Sequence, residues 1–168
     1  MGLTVACLGA ILAATLLAGP PAADSTKDQT RKAAPGWELK DVDGKLVKSS
    51  DFKGKIVILD FWATWCGSCV AEIPGFVKLQ KEYAKRDVVI VGVSLDEKGP
   101  SVVKPFMKKL GINYPIVMAD NKIADAFGGV EGIPSTFIID SDGLIVSKHE
   151  GLTEKSEFEK ELKQLLKK

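Results

Sequence analysis

Two stretches of this chain leave it little choice of fold. "IVILDFWA" (residues 56–63) and "VVIVGVSL" (88–95) are apolar almost throughout. A strand that alternates apolar and polar covers one face of a sheet, whereas a strand apolar on both faces is buried on both, the habit of parallel sheets wrapped by helices. Between them runs "CVAEIPGFVKLQKEYAKR", in which Val70, Ile73, Phe76, Val77 and Tyr83 fall close to one helical face. Strand, helix and strand in this order make a βαβ unit with a largely parallel core.

The other segments extend that unit. "GWELKDVDGKLVKSSDF" reads as a hairpin turning at Asp43-Gly44, and "STFIIDSDGLIVSKHEG" as a second one around Ser141-Asp142-Gly143. "SVVKPFMKKLG" and "NKIADAFG" are short helices ending on glycine, with the strand "YPIVM" between them. A final helix carries Phe158, Leu162, Leu165 and Leu166 and ends in lysines that suit its C-terminal dipole. The expected architecture is a three-layer α/β sandwich whose closing hairpin adds antiparallel strands to the parallel core.

At 168 residues and a net charge of +1, the chain is one domain's worth of ordinary globular protein. No charge excess points to nucleic acid or to a strongly charged partner. The first 23 residues carry no charged side chain, and the run from Leu3 to Ala18 has the character of a secretory signal, with cleavage near Ala22 or Ala23. An uncleaved anchor is the alternative, and it would tie the protein to a membrane. Residues 24–34 are polar and aperiodic and read as a linker, which places the folded domain at 35–168. Either fate of the leader exports the domain, so its thiols are expected to work outside the cytosol, in a periplasmic or other extracytoplasmic space.

"WATWCGSCVAEIP" (62–74) carries the chemistry. Cys66 falls where the first buried strand gives way to a helix N-terminus, the position at which open α/β sheets place their crevices. Unpaired backbone N–H groups and the helix dipole favour a thiolate there. Cys69 lies one turn further on and can reach the sulfur of Cys66, so Cys66 is read as the nucleophile and Cys69 as the resolving thiol. A zinc site would need two more soft ligands, and the chain has one histidine, His149, and no second CxxC. A structural staple over two residues would close almost no loop and stabilise little. The pair is read as redox-active, with no metal.

"FWATWCGSC" is similar to the active-site segment of the thioredoxin superfamily, and the extension "CVAEIP" matches the C-x-x-C-x-x-E-x-P pattern of its exported TlpA/ResA-type thiol–disulfide oxidoreductases. "VVIVGVSLDE" resembles that branch's second core strand, and "GVEGIPSTFIIDSDGLIVSKHEG" its proline loop and closing hairpin. The resemblance implies a thioredoxin-like fold, with residues 98–119 as an inserted helix and strand. It implies a buried proton-exchanging aspartate at Asp60 and a carboxylate at Glu72 that tunes and relays protons. It also implies a cis-proline at Pro134, which, with Ile133, presents backbone groups to a substrate strand. Gly67, Ser68 and Trp65 would complete the docking surface, Trp65 covering the thiols and Trp62 packing in the core. Pro74 kinks the helix and leaves the Val70 carbonyl unpartnered, and His149 reads as a surface residue.

The expected activity is reduction of disulfides in other proteins by a monomer that needs no cofactor, because the electrons reside on the two sulfurs. A membrane thiol-reductant donor and apocytochrome c, with its C-x-x-C-H heme site, are the expected partners. With no cation in the motif, the potential is expected near the reducing end, about −200 mV or below, away from the roughly −120 mV of a dedicated oxidant. Two alternatives stand beside this. A thiol peroxidase of peroxiredoxin type would place its threonine three residues before the reactive cysteine, whereas Thr64 precedes Cys66 by two. A non-enzymatic copper chaperone would space its cysteines by three and supply a histidine, whereas this spacing is two.

Overall fold

The structure, a computed structural model, describes Met1, Gly2 and residues 32–167. The leader and most of the linker therefore lie outside the described residues. In chain order the elements are β1 (Lys32–Ala33), β2 (Glu38–Lys40), β3 (Leu46–Lys48), β4 (Ile56–Trp62), α1 (Gly67–Tyr83), β5 (Val88–Ser94), α2 (Pro100–Leu110), β6 (Ile116–Met118), α3 (Ile123–Ala126), β7 (Ser135–Ile139), β8 (Leu144–Glu150) and α4 (Lys155–Leu165).

Every residue of β4 and β5 is buried, as their composition predicts, and the two run parallel at the centre of the sheet. The six-stranded order is β1-β8-β7-β4-β5-β6, with β6 parallel to β5 and with β7 and β8 antiparallel. The sheet is mixed, and β2 and β3 form a separate hairpin turning at Asp43-Gly44. One face of the sheet gathers Ile58, Trp62 and Ile138 with Ile73, Phe76, Val103, Phe158 and Leu162 of α1, α2 and α4. The opposite face gathers Leu59, Phe61, Val91 and Phe137 with Trp37 and Leu39 of the hairpin and Ile123 of α3. This is the expected thioredoxin-like three-layer sandwich, with α2 and β6 as the inserted helix and strand.

The linker boundary needs correction. Lys32 pairs with Ile145 and Ala33 with Leu144, and the Ala34 amide donates to the Gly143 carbonyl at 2.9 Å. Among the described residues, strand pairing thus begins at Lys32, ahead of Pro35. Without β1, strand β8 would present an unpaired edge. Both β1 residues are exposed, so nothing in their polarity betrays the pairing. The α1 face is also redrawn: Val70 and Val77 are half-buried, while Leu79, Glu72 and Gln80 are buried. Gln80 clips the helix to β5 by accepting from the Ile90 amide at 2.7 Å.

One close approach in the sheet positions the site. Gly92 of β5 lies opposite Asp60 and has no room for a side chain. A Cβ there would sit 2.5 Å from Ile116 Cδ1 and 2.8 Å from Trp62 Nε1. The indole of Trp62 lies over this gap, fully buried, its N–H without a hydrogen-bond partner among the described residues.

Candidate active site

Cys66 caps helix α1. Its sulfur accepts from the Cys69 amide at 3.2 Å, an interaction that a CxxC at a helix start makes available because the first amides have no intrahelical acceptor. Cys66 and Cys69 are joined as a disulfide. Cys66 retains 7 % exposure and Cys69 only 1 %. The Ser68 hydroxyl lies 3.4 Å from the Cys66 sulfur, and the Ile133 carbonyl oxygen lies 3.6 Å away on the opposite side. The Ile133–Pro134 peptide bond is cis. Pro134 is buried, its carbonyl accepting from the Gly151 amide at 2.8 Å. Gly67 is exposed. Trp65 stands out into solvent, 70 % exposed, beside the buried disulfide.

The loop before Cys66 is anchored by a residue that sequence reasoning missed. Asp96, buried just beyond β5, accepts from the Thr64 amide at 3.0 Å, from the Thr64 hydroxyl at 2.5 Å and from the Ser94 hydroxyl at 2.8 Å. Thr64 is thereby committed to Asp96, not to the cysteines as a peroxidase threonine would be.

On the side of the sheet that carries the disulfide lie two buried acids. Asp60 faces α1 from β4 and accepts from the Thr136 hydroxyl at 3.1 Å. Burial, and then the charge of Glu72, push its pKa from 3.8 to about 8, against the weaker pull of Thr136. Glu72 lies on the buried side of α1, one turn beyond Cys69, with Oε1 accepting from the Thr153 amide at 2.5 Å. Its Oε2 is buried with no partner among the described residues. Burial raises its pKa to about 7, while the Thr153 bond and the charge of His149 act the other way. Tyr114 faces both acids: burial first, then Asp60 and Glu72, hold its phenol well above the ordinary range.

His149 is not a plain surface residue. It lies in β8 opposite Thr136, packs edge-on against Phe158 with ring centroids 5.1 Å apart, and places Nε2 2.7 Å from Glu161 Oε1. The signal was faint, since Glu161 is twelve residues away on α4 and nothing in the sequence links the two.

A sequence profile of the AhpC/TSA family matches residues 30–148. The chain belongs to that thioredoxin-like family. Within it, the protein is 40 % identical over 135 residues to the thioredoxin-like protein YneN of Bacillus subtilis, covering 80 % of this chain and 79 % of that one. It is 34 % identical over 143 residues to the thiol-disulfide oxidoreductase ResA of Bacillus anthracis, covering 85 % and 82 %. Among solved structures it resembles a thioredoxin-family thiol:disulfide interchange protein of Chlorobium tepidum, with a TM-score of 0.76 and 38 % identity over 83 % of this chain and 99 % of that one. Relatives so named, together with the Cys66–Cys69 pair at the helix start, make this AhpC/TSA member a thiol–disulfide oxidoreductase acting on protein substrates.

Proposed function

We propose that the protein is exported and works there as a reductant of protein disulfides, Cys66 attacking and Cys69 resolving. The observation that carries this reading is the asymmetry of the pair. Cys66 is the more exposed sulfur, at the helix N-terminus beside the Ile133 carbonyl, whereas Cys69 is enclosed on the side of the sheet that carries two buried acids. The Cys66 thiolate attacks a substrate disulfide, forming a mixed disulfide and releasing one substrate thiolate. The Cys69 thiol then gives its proton to the Glu72 carboxylate and attacks the Cys66 sulfur. The Cys66–Cys69 bond forms, the bond to substrate breaks, and the second substrate sulfur leaves with the electron pair and takes a proton from water. Two electrons pass from the two cysteines to the substrate.

At neutral pH Asp60, with its pKa near 8, is largely protonated, so Glu72 is the group free to accept the proton. The negative charge of ionised Glu72 disfavours a thiolate and so favours the disulfide, which supports a potential near −200 mV or below, against roughly −120 mV for a strong oxidant. The Ser68 hydroxyl moderates this as a donor to the Cys66 thiolate. Pro134 and Ile133 shape the edge to which an extended substrate segment would pair, with Trp65, Gly67 and Ser68 at its rim. The apolar leader supports export, with the polar stretch after it as a tether if it is retained. A membrane thiol donor and an apocytochrome c substrate complete the reading by family analogy.

The test is a pair of variants in the native cell. Cys69→Ser should accumulate mixed disulfides through Cys66, and Cys66→Ser should trap nothing and reduce nothing. Alkylation of Cys69 ahead of Cys66 at neutral pH would reverse the assignment. Mass spectrometry of the same material should find a mature N-terminus between residues 22 and 25.

A further inference from the structure

His149 is the chain's only histidine. Its place follows from strand register. Asp60 of β4 pairs with Thr136 of β7, and Thr136 pairs with His149 of β8. Directly paired residues point to the same side of a sheet, and adjacent strands lie about 4.8 Å apart. Asp60, Thr136 and His149 therefore form one row on the face that α1 and α4 cover, with His149 about 10 Å from Asp60 along the row. Thr136 bridges toward Asp60 through its hydroxyl. Phe158 of α4 packs against both the His149 ring and Phe76, one turn after Glu72 on α1, and borders the same cleft as Glu72, while Glu161 closes the row from α4.

The imidazole is held firmly. Glu161 accepts at Nε2, and the second oxygen of Glu161 accepts from the Ser147 hydroxyl at 2.5 Å, which fixes the carboxylate. Phe158 packs edge-on against the ring. The side chain keeps 22 % exposure, enough to exchange protons with water and too little for its charge to be well screened.

The charged groups that face it are mostly acidic. They are Glu72 from α1 and Glu157 and Glu161 from α4, with the largely protonated Asp60 next in the row beyond Thr136. Lys148 and Glu150, its neighbours on β8, pair with each other, and the Lys148 ammonium lies over Phe137 on the opposite face. Lys160 acts on Glu161. Glu72 also borders a cleft of about 270 Å³ whose other charged lining groups are Lys78, Glu154 and Lys155. Lys155 is already bound to Glu82 and Glu159. Among the described residues, the imidazolium of His149 is the cation whose charge acts on Glu72.

We propose that His149, fixed by Glu161, is a positioning residue for the proton transfer at the disulfide: its positive charge stabilises the Glu72 carboxylate that accepts the Cys69 proton. The inference rests on the disulfide-reduction reading and names what regulates that site. The coupling is reciprocal, as any interaction between two titrating groups must be. An ionised Glu72 favours the imidazolium, and the imidazolium favours an ionised Glu72. Both groups are displaced upward, His149 first by its Glu161 bond and Glu72, to about 7, by burial. When Cys69 protonates Glu72, the charge that held His149 protonated disappears, and the imidazole releases its proton more readily to water through its exposed edge.

A single imidazole makes the test direct. Proton NMR of the oxidised, full-length protein follows the His149 ring resonances against pH, with no turnover required. The wild-type curve should show two steps, one for the ring and one for Glu72. In Glu72→Gln, which keeps an acceptor for the Thr153 amide, the second step should vanish and the ring midpoint fall by at least about half a pH unit, the lower end of what a nearby opposite charge produces. Glu161→Gln should lower it further. A one-step wild-type curve, or a ring midpoint that ignores Glu72→Gln, would overturn the proposal while leaving disulfide reduction intact. The kinetic counterpart is His149→Gln, which should move the midpoint of the pH–rate profile for resolving a mixed disulfide upward by a similar shift. An unmoved midpoint would likewise overturn it. Failure of the wild-type protein to reduce any disulfide would sink the functional reading without touching the NMR coupling.

Discussion

Replacing Asp60 by asparagine should stabilise the oxidised protein at alkaline pH and destabilise it in acid. Below about pH 4 the aspartate is protonated in both folded and unfolded chains and contributes nothing to the difference. Between about 4 and 8 the unfolded chain loses the proton while the native state, with its pKa near 8, retains it. The unfolded state then binds fewer protons, so stability falls as pH rises through this window, and the penalty is constant above it. Four pH units at about 1.4 kcal/mol each give a full penalty on the order of 5 kcal/mol. Asparagine removes that penalty and still accepts from the Thr136 hydroxyl. It also buries an amide with no partner, at a cost of about 1–3 kcal/mol. The net effect is a gain of about 3 kcal/mol at pH 9, a loss of about 2 kcal/mol at pH 4, and a change of sign near pH 5 to 6. Urea unfolding of the disulfide-intact protein, followed by tryptophan fluorescence, should register the gain as a midpoint shift on the order of 2 M at pH 9. A difference between variant and wild type that is the same at pH 5 and pH 9 would refute the claim that Asp60 is buried uncharged.

Two further substitutions probe the frame around the disulfide. Gly92→Ala pushes a methyl against Ile116 and the Trp62 indole and should cost about 1–3 kcal/mol, with a change in Trp62 emission. A variant as stable as wild type would show that the gap closes without strain. Asp96→Ala strips the acceptor from the Thr64 amide and the Thr64 and Ser94 hydroxyls and should cost on the order of 3 kcal/mol. Hydrogen exchange at the Thr64 amide should accelerate at the same time, and unchanged protection there would remove Asp96 from the loop's support.

How far the sequence reaches depends on the range of each interaction. Strands β4 and β5 and helix α1 are legible because their burial is written in local periodicity. Asp60 is legible for the opposite reason, as the lone acid in an apolar run. Strand β1 is not, because two exposed residues pair through backbone groups that carry no sequence signal. Leu79 was left off the α1 face, since a helix curved over a twisted sheet buries a wider stripe than one row of residues. Glu161 and His149 meet only once α4 has folded back over β8, and Asp96 reaches Thr64 across thirty-two residues.

The two sulfurs of one disulfide sit in different fields, and that difference follows from where a CxxC falls on a strand–helix junction. The free amides and dipole of α1 act within the first turn and therefore on Cys66, whose sulfur accepts the Cys69 amide and lies near the Ser68 hydroxyl. The opposing charge comes from Glu72, one turn further along α1 and buried on the helix side on which Cys69 is buried. A thiolate is thus favoured on the outer sulfur and disfavoured on the inner one. Exchanging the two cysteines' roles would require moving the acid to the helix's first turn or the hydrogen-bond donors into the core. Neither is open to a helix whose N-terminus must face the crevice and whose buried side must pack on the sheet. On the proposed reading, the order of attack is a property of the βαβ junction, and Glu72 sets the pH at which the second step proceeds.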